Sequence, residues 1–358
     1  MILQRYILRE LLGVFAIALV VMIAVSAVGL MLQMVRTYDV DLHFLGLAIP
    51  IACGYMSPWA ILIAATVTPT MVYGRLGADH EIDAIRTSGI HVWKIVAPAM
   101  LFAVVVFVLC FVAHHEITPR ARYAQRILGG AAGKTVYDNP PPGKQSLSLG
   151  KRVFLSYTDA VSGKLVKPFL TLLNEKGKVE TEYRGTEGRA WIAGPTEIAV
   201  TIQNGFVTEY DTSTQPATVK HQGQMGTTTT ITMPVEDPYA QPKGMRDMPG
   251  LELLSEWQRT DGEYRRELYT EFQLRNAKAL GPVCLIFLAV PAGIFVRRGT
   301  RMAGLGVALP PILGYLVILF FGESLANRGI VSPEVGAFGA DVAVLAVAAF
   351  LMVRVFRQ

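Results

Sequence analysis

The run Leu11–Met34 holds 24 consecutive residues without a charge. At about 1.5 Å per residue, a helix of that length crosses the roughly 30 Å apolar core of a bilayer with some tilt. Water is absent there, so the backbone must satisfy its own N–H and C=O groups, and an open chain must be helical. Five further apolar runs follow, at Phe44–Tyr73, Ile95–Ala113, Ala279–Val296, Met302–Phe321 and Val335–Val353. The first run begins with Arg5 and Arg9 and carries small residues at Ala24, Ser26 and Ala27. It far exceeds a signal-peptide core of about 7–15 residues, so an uncleaved span is expected.

The charge distribution divides the chain. Of its 358 residues 17% are charged, but residues 115–278 hold 40 charges in 164 positions and the flanks only 21 in 194. An ordinary soluble domain carries about 25%. The chain therefore reads as a soluble-type domain, 115–278, between two membrane blocks, 1–114 and 279–358, with three spans each. The net charge of +5 forms no basic stripe, which gives nucleic acid no electrostatic footprint. Cys53, Cys110 and Cys284 each lie in an apolar run and read as small buried hydrophobes.

Lysine and arginine bias sets the expected orientation. With the N-terminus inside, the inner segments hold Arg5, Arg9, Arg75, Arg86, Lys94, Arg297, Arg298, Arg301, Arg354 and Arg357. The short outer loops hold Arg36 and Arg328. The middle domain is then extracytoplasmic. Prolines recur within the second, fourth and fifth spans, as static kinks or as points where helices bend during a cycle.

The middle domain has β character. Candidate strands are Val153–Tyr157, Phe169–Asn174, Val179–Arg184, Arg189–Ile192, Glu197–Gln203, Gly205–Tyr210, Ala217–His221 and Gly226–Met233. Turn residues such as Ser162-Gly163, Gly194-Pro195 and Asn204-Gly205 separate them. Short strands with close turns suggest a sandwich, jelly roll or barrel. In Glu197–Gln203 the alternation of Ile198, Val200 and Ile202 with polar neighbours specifies a half-buried strand. A linker at Asn139–Gly143 precedes the strands and a polar stretch, Glu236–Gly250, follows them. Leu251–Arg259 and Glu263–Lys278 read as helices, the second with a solvated face of Arg265, Arg266, Glu267, Glu271 and Arg275.

No catalytic motif, cofactor site or metal set stands out. Gly129–Thr135 resembles the end of a phosphate-binding loop, but Leu128 replaces the required glycine and no strand precedes it. His114-His115-Glu116 are adjacent, so a helix does not bring them to one face, and they read as a cap to the third span. Arg36, Glu323 and Asp341 are the charges in or at the ends of the spans; all three fall near the outer interface, where snorkelling is cheap.

The loop after the second span is more specific. Asp79 can N-cap a short helix with Glu81 and Asp83 in its first turns, Ile82 and Ile85 on one face, and Gly89 as C-cap. Such a helix either lies against the membrane or docks an apolar knob in a groove of a cytoplasmic partner.

Here the chain resembles the lipopolysaccharide-export permease family (LptF/LptG). The opening Arg5–Glu10 is similar to that family's start. Arg75–Gly89 resembles its coupling helix, and Arg275–Gly299 its fourth span and following loop. Gly329–Pro333 resembles the loop before its last span. The resemblance implies an α-helical membrane protein of six spans, three plus three, around an extracytoplasmic jelly-roll-like β domain. It implies an inner-membrane permease subunit, not an enzyme, pairing with a second six-span permease around a lipid-holding cavity. The first and fifth spans would gate that cavity laterally, and two copies of a cytoplasmic ABC ATPase would drive it. Lipopolysaccharide would pass to periplasmic bridge proteins of jelly-roll fold. Glu81, Ile82, Ala84, Ile85, Arg86 and Gly89 would form the ATPase-coupling segment, and Arg36 would meet lipid phosphates. The inward residues of the strands, such as Phe154, Phe169, Leu172 and Ile198, are candidates for a groove that shelters acyl chains. A permease that only transmits force to periplasmic partners is the competing expectation; its layout would usually have four spans.

Overall fold

The computed structural model describes residues 2–38, 42–138, 140, 142–143, 145–149, 153–161, 163–174, 177–194, 197–211, 218–234, 243–295 and 303–357. Part of the Asn139–Gly143 linker, residues 236–242 of the polar stretch, and the residue Ala217 lie outside them.

Among the described residues, six helices are long and apolar enough to cross a membrane. They are carried by α1 (Ile2–Tyr38), α2 (Leu42–Ala78), α4 (Trp93–Val112), α7 (Glu263–Phe295), α8 (Ala303–Asn327) and α9 (Pro333–Arg357). The short α3 (Glu81–Thr87) follows α2. Three plus three, they flank an all-β insert, as the charge distribution requires.

Two spans run on where the sequence suggested an end. A π-helical turn at Ala113–Ile117 carries α4 straight into α5 (Thr118–Asp138), so His114-His115-Glu116 do not cap the third span. Gly129–Thr135 lies within α5. Glu263–Lys278 and the fourth span are likewise one helix, α7. Helical propensity carries both polar extensions past the apolar boundary that hydropathy marks.

In the most apolar stretch of α7, 67% of residues are buried, against 17% in α1 and 22% in α8. Thus α7 is the central helix, while α1 and α8 lie at the rim and turn side chains such as Ile17, Val20, Val317 and Phe321 outward. Proline is accommodated inside continuous helices at Pro50, Pro58 and Pro69 of α2, Pro282 and Pro291 of α7, and Pro310 and Pro311 of α8. Around Pro69, buried Thr66, Thr68 and Thr70 satisfy their hydroxyls on carbonyls of the preceding turn.

Small residues set the closest helix contacts. A Cβ on Gly322 of α8 would strike the backbone of Gly336 in α9, and one on Gly336 would strike Ala326 and Gly322. With Ala340, these residues form a small-xxx-small pair on each helix, the usual means of close approach in lipid. Gly293 of α7 plays the same part against Thr70 and Tyr73 of α2.

The insert is two antiparallel sheets. The first has the order β1-β2-β5-β6-β9-β10, and the second β11-β8-β7-β4-β3. In chain order the strands are β1 (Gln145–Leu149), β2 (Val153–Tyr157), β3 (Asp159–Val161), β4 (Lys164–Val166), β5 (Phe169–Leu173), β6 (Val179–Arg184), β7 (Glu187–Gly194), β8 (Glu197–Gln203), β9 (Phe206–Asp211), β10 (Thr218–Gln224) and β11 (Thr228–Pro234). The sequence reading had no counterpart for β1, β3 and β4; β3 and β4 are three residues each, too short to show alternation.

Leu155 and Leu170 of the first sheet and Leu165, Val200 and Ile202 of the second are fully buried in one core between the sheets. Ile198 joins them, and Leu172 packs against them. Phe154 and Phe169 do not. Leu155 pairs with Leu170 across β2 and β5, which puts Phe154 and Phe169 on the opposite face. The Arg184 guanidinium lies over the Phe169 ring at 4.8 Å. The expectation that both phenylalanines point inward is corrected by this one-residue phase.

Candidate functional site

The segment after α2 is built by a sharp reversal. Asp79 N–H still donates to the Arg75 carbonyl, so this residue completes α2. His80 follows with φ 57° in the left-handed region and occupies the N-cap position without a side-chain cap. The expected N-cap by Asp79 is therefore corrected. At the other end Gly89 has φ 77° and its N–H donates to Arg86, while Ile90 donates to Ile85. Glycine closes α3 as its C-terminal signal requires.

The apolar knob turns inward. Ile82 is 3% exposed and belongs to the same core as Ile7 and Leu11 of α1, Leu76 of α2, Ile95 of α4, Ile294 of α7 and Val355 of α9. Ile85 packs against that core. Arg86 Nη2 donates to the Val355 carbonyl at 3.0 Å. Ala84, Thr87, Ser88 and Gly89 are exposed, and Glu81 and Asp83 half-exposed. Arg75, at the end of α2, donates to Glu10 at 2.7 Å and to Tyr6 at 2.9 Å, which ties the second span to the first. Arg36 falls in the last turns of α1; its side chain lies outside the described residues.

A second cluster sits where α7 meets the 3₁₀ turn Met245–Asp247 and α6 (Gly250–Arg259). Arg275 was expected on a solvated face but is 4% exposed. Its Nε donates to Glu271 at 3.1 Å, Nη1 to the Met248 carbonyl at 2.7 Å and Nη2 to the Met245 carbonyl at 2.9 Å. Arg246 lies 3.7 Å from both Glu271 and Glu323. Lys278 donates to Glu323 at 2.9 Å. The expected snorkelling of Glu323 is thus replaced by pairing with two cations. Asp247 is buried and meets Arg122 at 3.5 Å. His115 stacks on Phe111 and contacts Asn276 at 3.2 Å, which fastens the π-helical turn to α7.

Asp341 also departs from expectation. It is 2% exposed, with Tyr315 and Cys284 beside it. It faces the bundle interior instead of snorkelling outward. The sequence signal for these sites was the presence of a charge in an apolar run, which marks function or pairing but does not name the partner.

Among the described residues no group of His, Cys, Asp and Glu could hold a metal. What the arrangement offers is mechanical: a short helix locked to several spans, and charge pairs between spans.

Six apolar helices split three and three by a two-sheet β insert define a multi-pass membrane protein. The chain belongs to the lipopolysaccharide export system permease LptF/LptG family, whose model matches residues 5–354. Members are transport subunits and not catalytic enzymes. No curated protein sequence matches the chain.

Proposed function

We propose that this chain is a permease subunit of an ABC transporter. It extracts lipopolysaccharide, or a similar amphipathic lipid, from the inner membrane and passes it through its β domain towards the outer membrane. The family match over residues 5–354 carries this reading. Residues 1–114 and 279–358 form the membrane blocks and 115–278 the periplasmic domain, with both termini cytoplasmic; the ten-to-two lysine and arginine bias supports that orientation. ATP hydrolysis belongs to a separate dimeric ATPase, and a second six-span permease completes the cavity. Jelly-roll bridge proteins receive the lipid.

Within this scheme α3 is the coupling helix. Glu81, Ala84 and Gly89 offer the surface for the ATPase, with Ile85 at its edge. Ile82 and Arg86 contribute by fixing the helix from behind. The rim positions of α1 and α8 suit lateral gates, because few contacts must break for either to move. Arg36 is assigned to lipid phosphates, for which a guanidinium is well matched.

Affinity purification of the full chain in mild detergent tests the proposal. An ABC ATPase, a second six-span permease and lipopolysaccharide should accompany it. Isolation of the chain without any of them would overturn it.

A further inference from the structure

Among the described residues, every hydrogen bond from α1 to another element ends on one side chain, Arg75. Its Nη2 donates to the Glu10 carboxylate at 2.7 Å and to the Tyr6 hydroxyl at 2.9 Å. The ion pair is half-sheltered, so it is screened less than one in open water.

Apolar packing holds the same end of α1. Ile7 and Leu11 are fully buried, and Phe15 sets its ring edge-on to Phe102 of α4 at 5.3 Å between centroids. Beyond Phe15 the helix turns Ile17, Val20, Val21, Val25, Val28 and Leu32 outward, and Ala27 is the one further buried hydrophobic residue among those described. The N-terminal third of α1 is thus fixed, while the rest has few contacts to break.

Arg75 also belongs to the support of α3. Its carbonyl accepts from the Asp79 N–H at 2.9 Å, and the Gly77 carbonyl from the His80 N–H at 3.2 Å. The Ala84 N–H of α3 then returns to the His80 carbonyl at 3.0 Å. Asp79 and Glu81 act on Glu10 electrostatically, and Glu81 acts on Arg75 as well. One guanidinium therefore stands among three carboxylates and is hydrogen-bonded to the one carried by α1. A shift of α3 moves the last turn of α2, and Arg75 passes it to Glu10 and Tyr6.

We propose that Arg75 is a positioning residue that couples α3 to the first span: α1, gripped at Glu10 and Tyr6, pivots on its N-terminal third when α3 is displaced, and its C-terminal half swings. The proposal rests on the reading of α3 as the coupling helix.

The test uses the full-length chain, purified with its accompanying subunits and carrying Cys53→Ala, Cys110→Ala and Cys284→Ala. Spin labels at Val28→Cys of α1 and Leu109→Cys of α4 report the distance between the two helices with and without ATP. Wild type at Arg75 and Glu10 should show an ATP-dependent change in that distance. Arg75→Gln and Glu10→Gln should each lose the change, while the ATPase still co-purifies and hydrolyses ATP at the unaltered rate. The exchanged pair Arg75→Glu/Glu10→Arg should restore the change, which a separate structural role for either residue would not do. A change retained in both single variants would overturn the coupling role. So would loss of the change together with ATPase co-purification and no recovery in the exchanged pair, which marks a merely structural contact. An active, co-purifying ATPase beside a wild-type distance that ATP leaves fixed would overturn the pivot alone. Absence of any ATPase from the wild-type preparation would overturn the reading of α3 itself, a different result from any of these.

Discussion

Arg86 donates to the carbonyl of Val355, which joins α3 to the last turn of α9 across 269 residues of sequence. Beside it Ile82 enters the core shared by α1, α2, α4, α7 and α9. A helix of seven residues has little stability of its own, so these contacts fix its position. A displacement of α3 is thereby passed to the sixth span.

Arg86→Ala should therefore uncouple the helix without removing its outer surface. We expect the ATPase to co-purify as before while lipid export falls, and thermal stability in detergent to drop by about 1–3 kcal/mol from the lost charged hydrogen bond. Loss of ATPase co-purification with unchanged stability would instead place Arg86 at the partner interface. Ile82→Ala should cost about 2–5 kcal/mol by the cavity it leaves.

Gly322 and Gly336 make the second prediction. Each lies where a methyl group would meet backbone or Ala326 of the facing helix. Gly322→Ala should force α8 away from α9, by overpacking that costs about 1–3 kcal/mol. Gly314, on the same helix, has nothing among the described residues within 4 Å of a new Cβ, so Gly314→Ala should leave stability unchanged or slightly raised. Thermal unfolding of both variants in one detergent decides it; equal midpoints would remove the packing role.

How far such features are legible in a sequence depends on range. The spans are legible because length and lack of charge are local properties, and β8 because Ile198, Val200 and Ile202 alternate. Phe154 was misplaced because an apolar residue on both faces of β2 leaves the phase to the partner strand, and Leu155 pairs with Leu170. Arg275 was misread as solvated because its acceptors, Met245 and Met248, lie 27 or more residues away with no side-chain signal. Ile82 pointed to the correct face of α3, but only the packed spans decide that this face looks inward.

Arg275 supplies the third prediction. Three of its N–H groups are committed, one to Glu271 and two to the carbonyls of Met245 and Met248 at the two ends of the 3₁₀ turn. Arg275→Lys keeps the charge but cannot form this fork, and leaves at least one buried carbonyl unpaired. We expect both Arg275→Lys and Arg275→Ala to destabilise by about 2–4 kcal/mol, the conservative change rescuing little. Proteolysis in the segment 243–250 should rise in both. Full rescue by lysine would show that only charge matters there.

Asp159 carries a pH prediction for the β domain. Its Oδ1 accepts from the Gly143 N–H at 2.7 Å and from its neighbour Ala160 at 2.8 Å. The hydrogen bond from Gly143, and then that from Ala160, holds this carboxyl below the ordinary carboxylate value. A carboxyl whose value is lower in the folded state binds its proton more readily when unfolded. Its contribution is thus complete above the ordinary carboxylate value and is lost as pH falls through the folded one. Gly143 has φ 89°, so the donor is placed by a backbone that a glycine adopts without strain. Asp159→Asn keeps an acceptor but no charge. It should flatten the acid side of the stability profile, measured as unfolding midpoint against pH for the full chain in detergent, and Gly143→Ala should do the same by displacing the donor. An acid-side slope equal to wild type in both variants would show that this carboxylate does not anchor the start of the β domain.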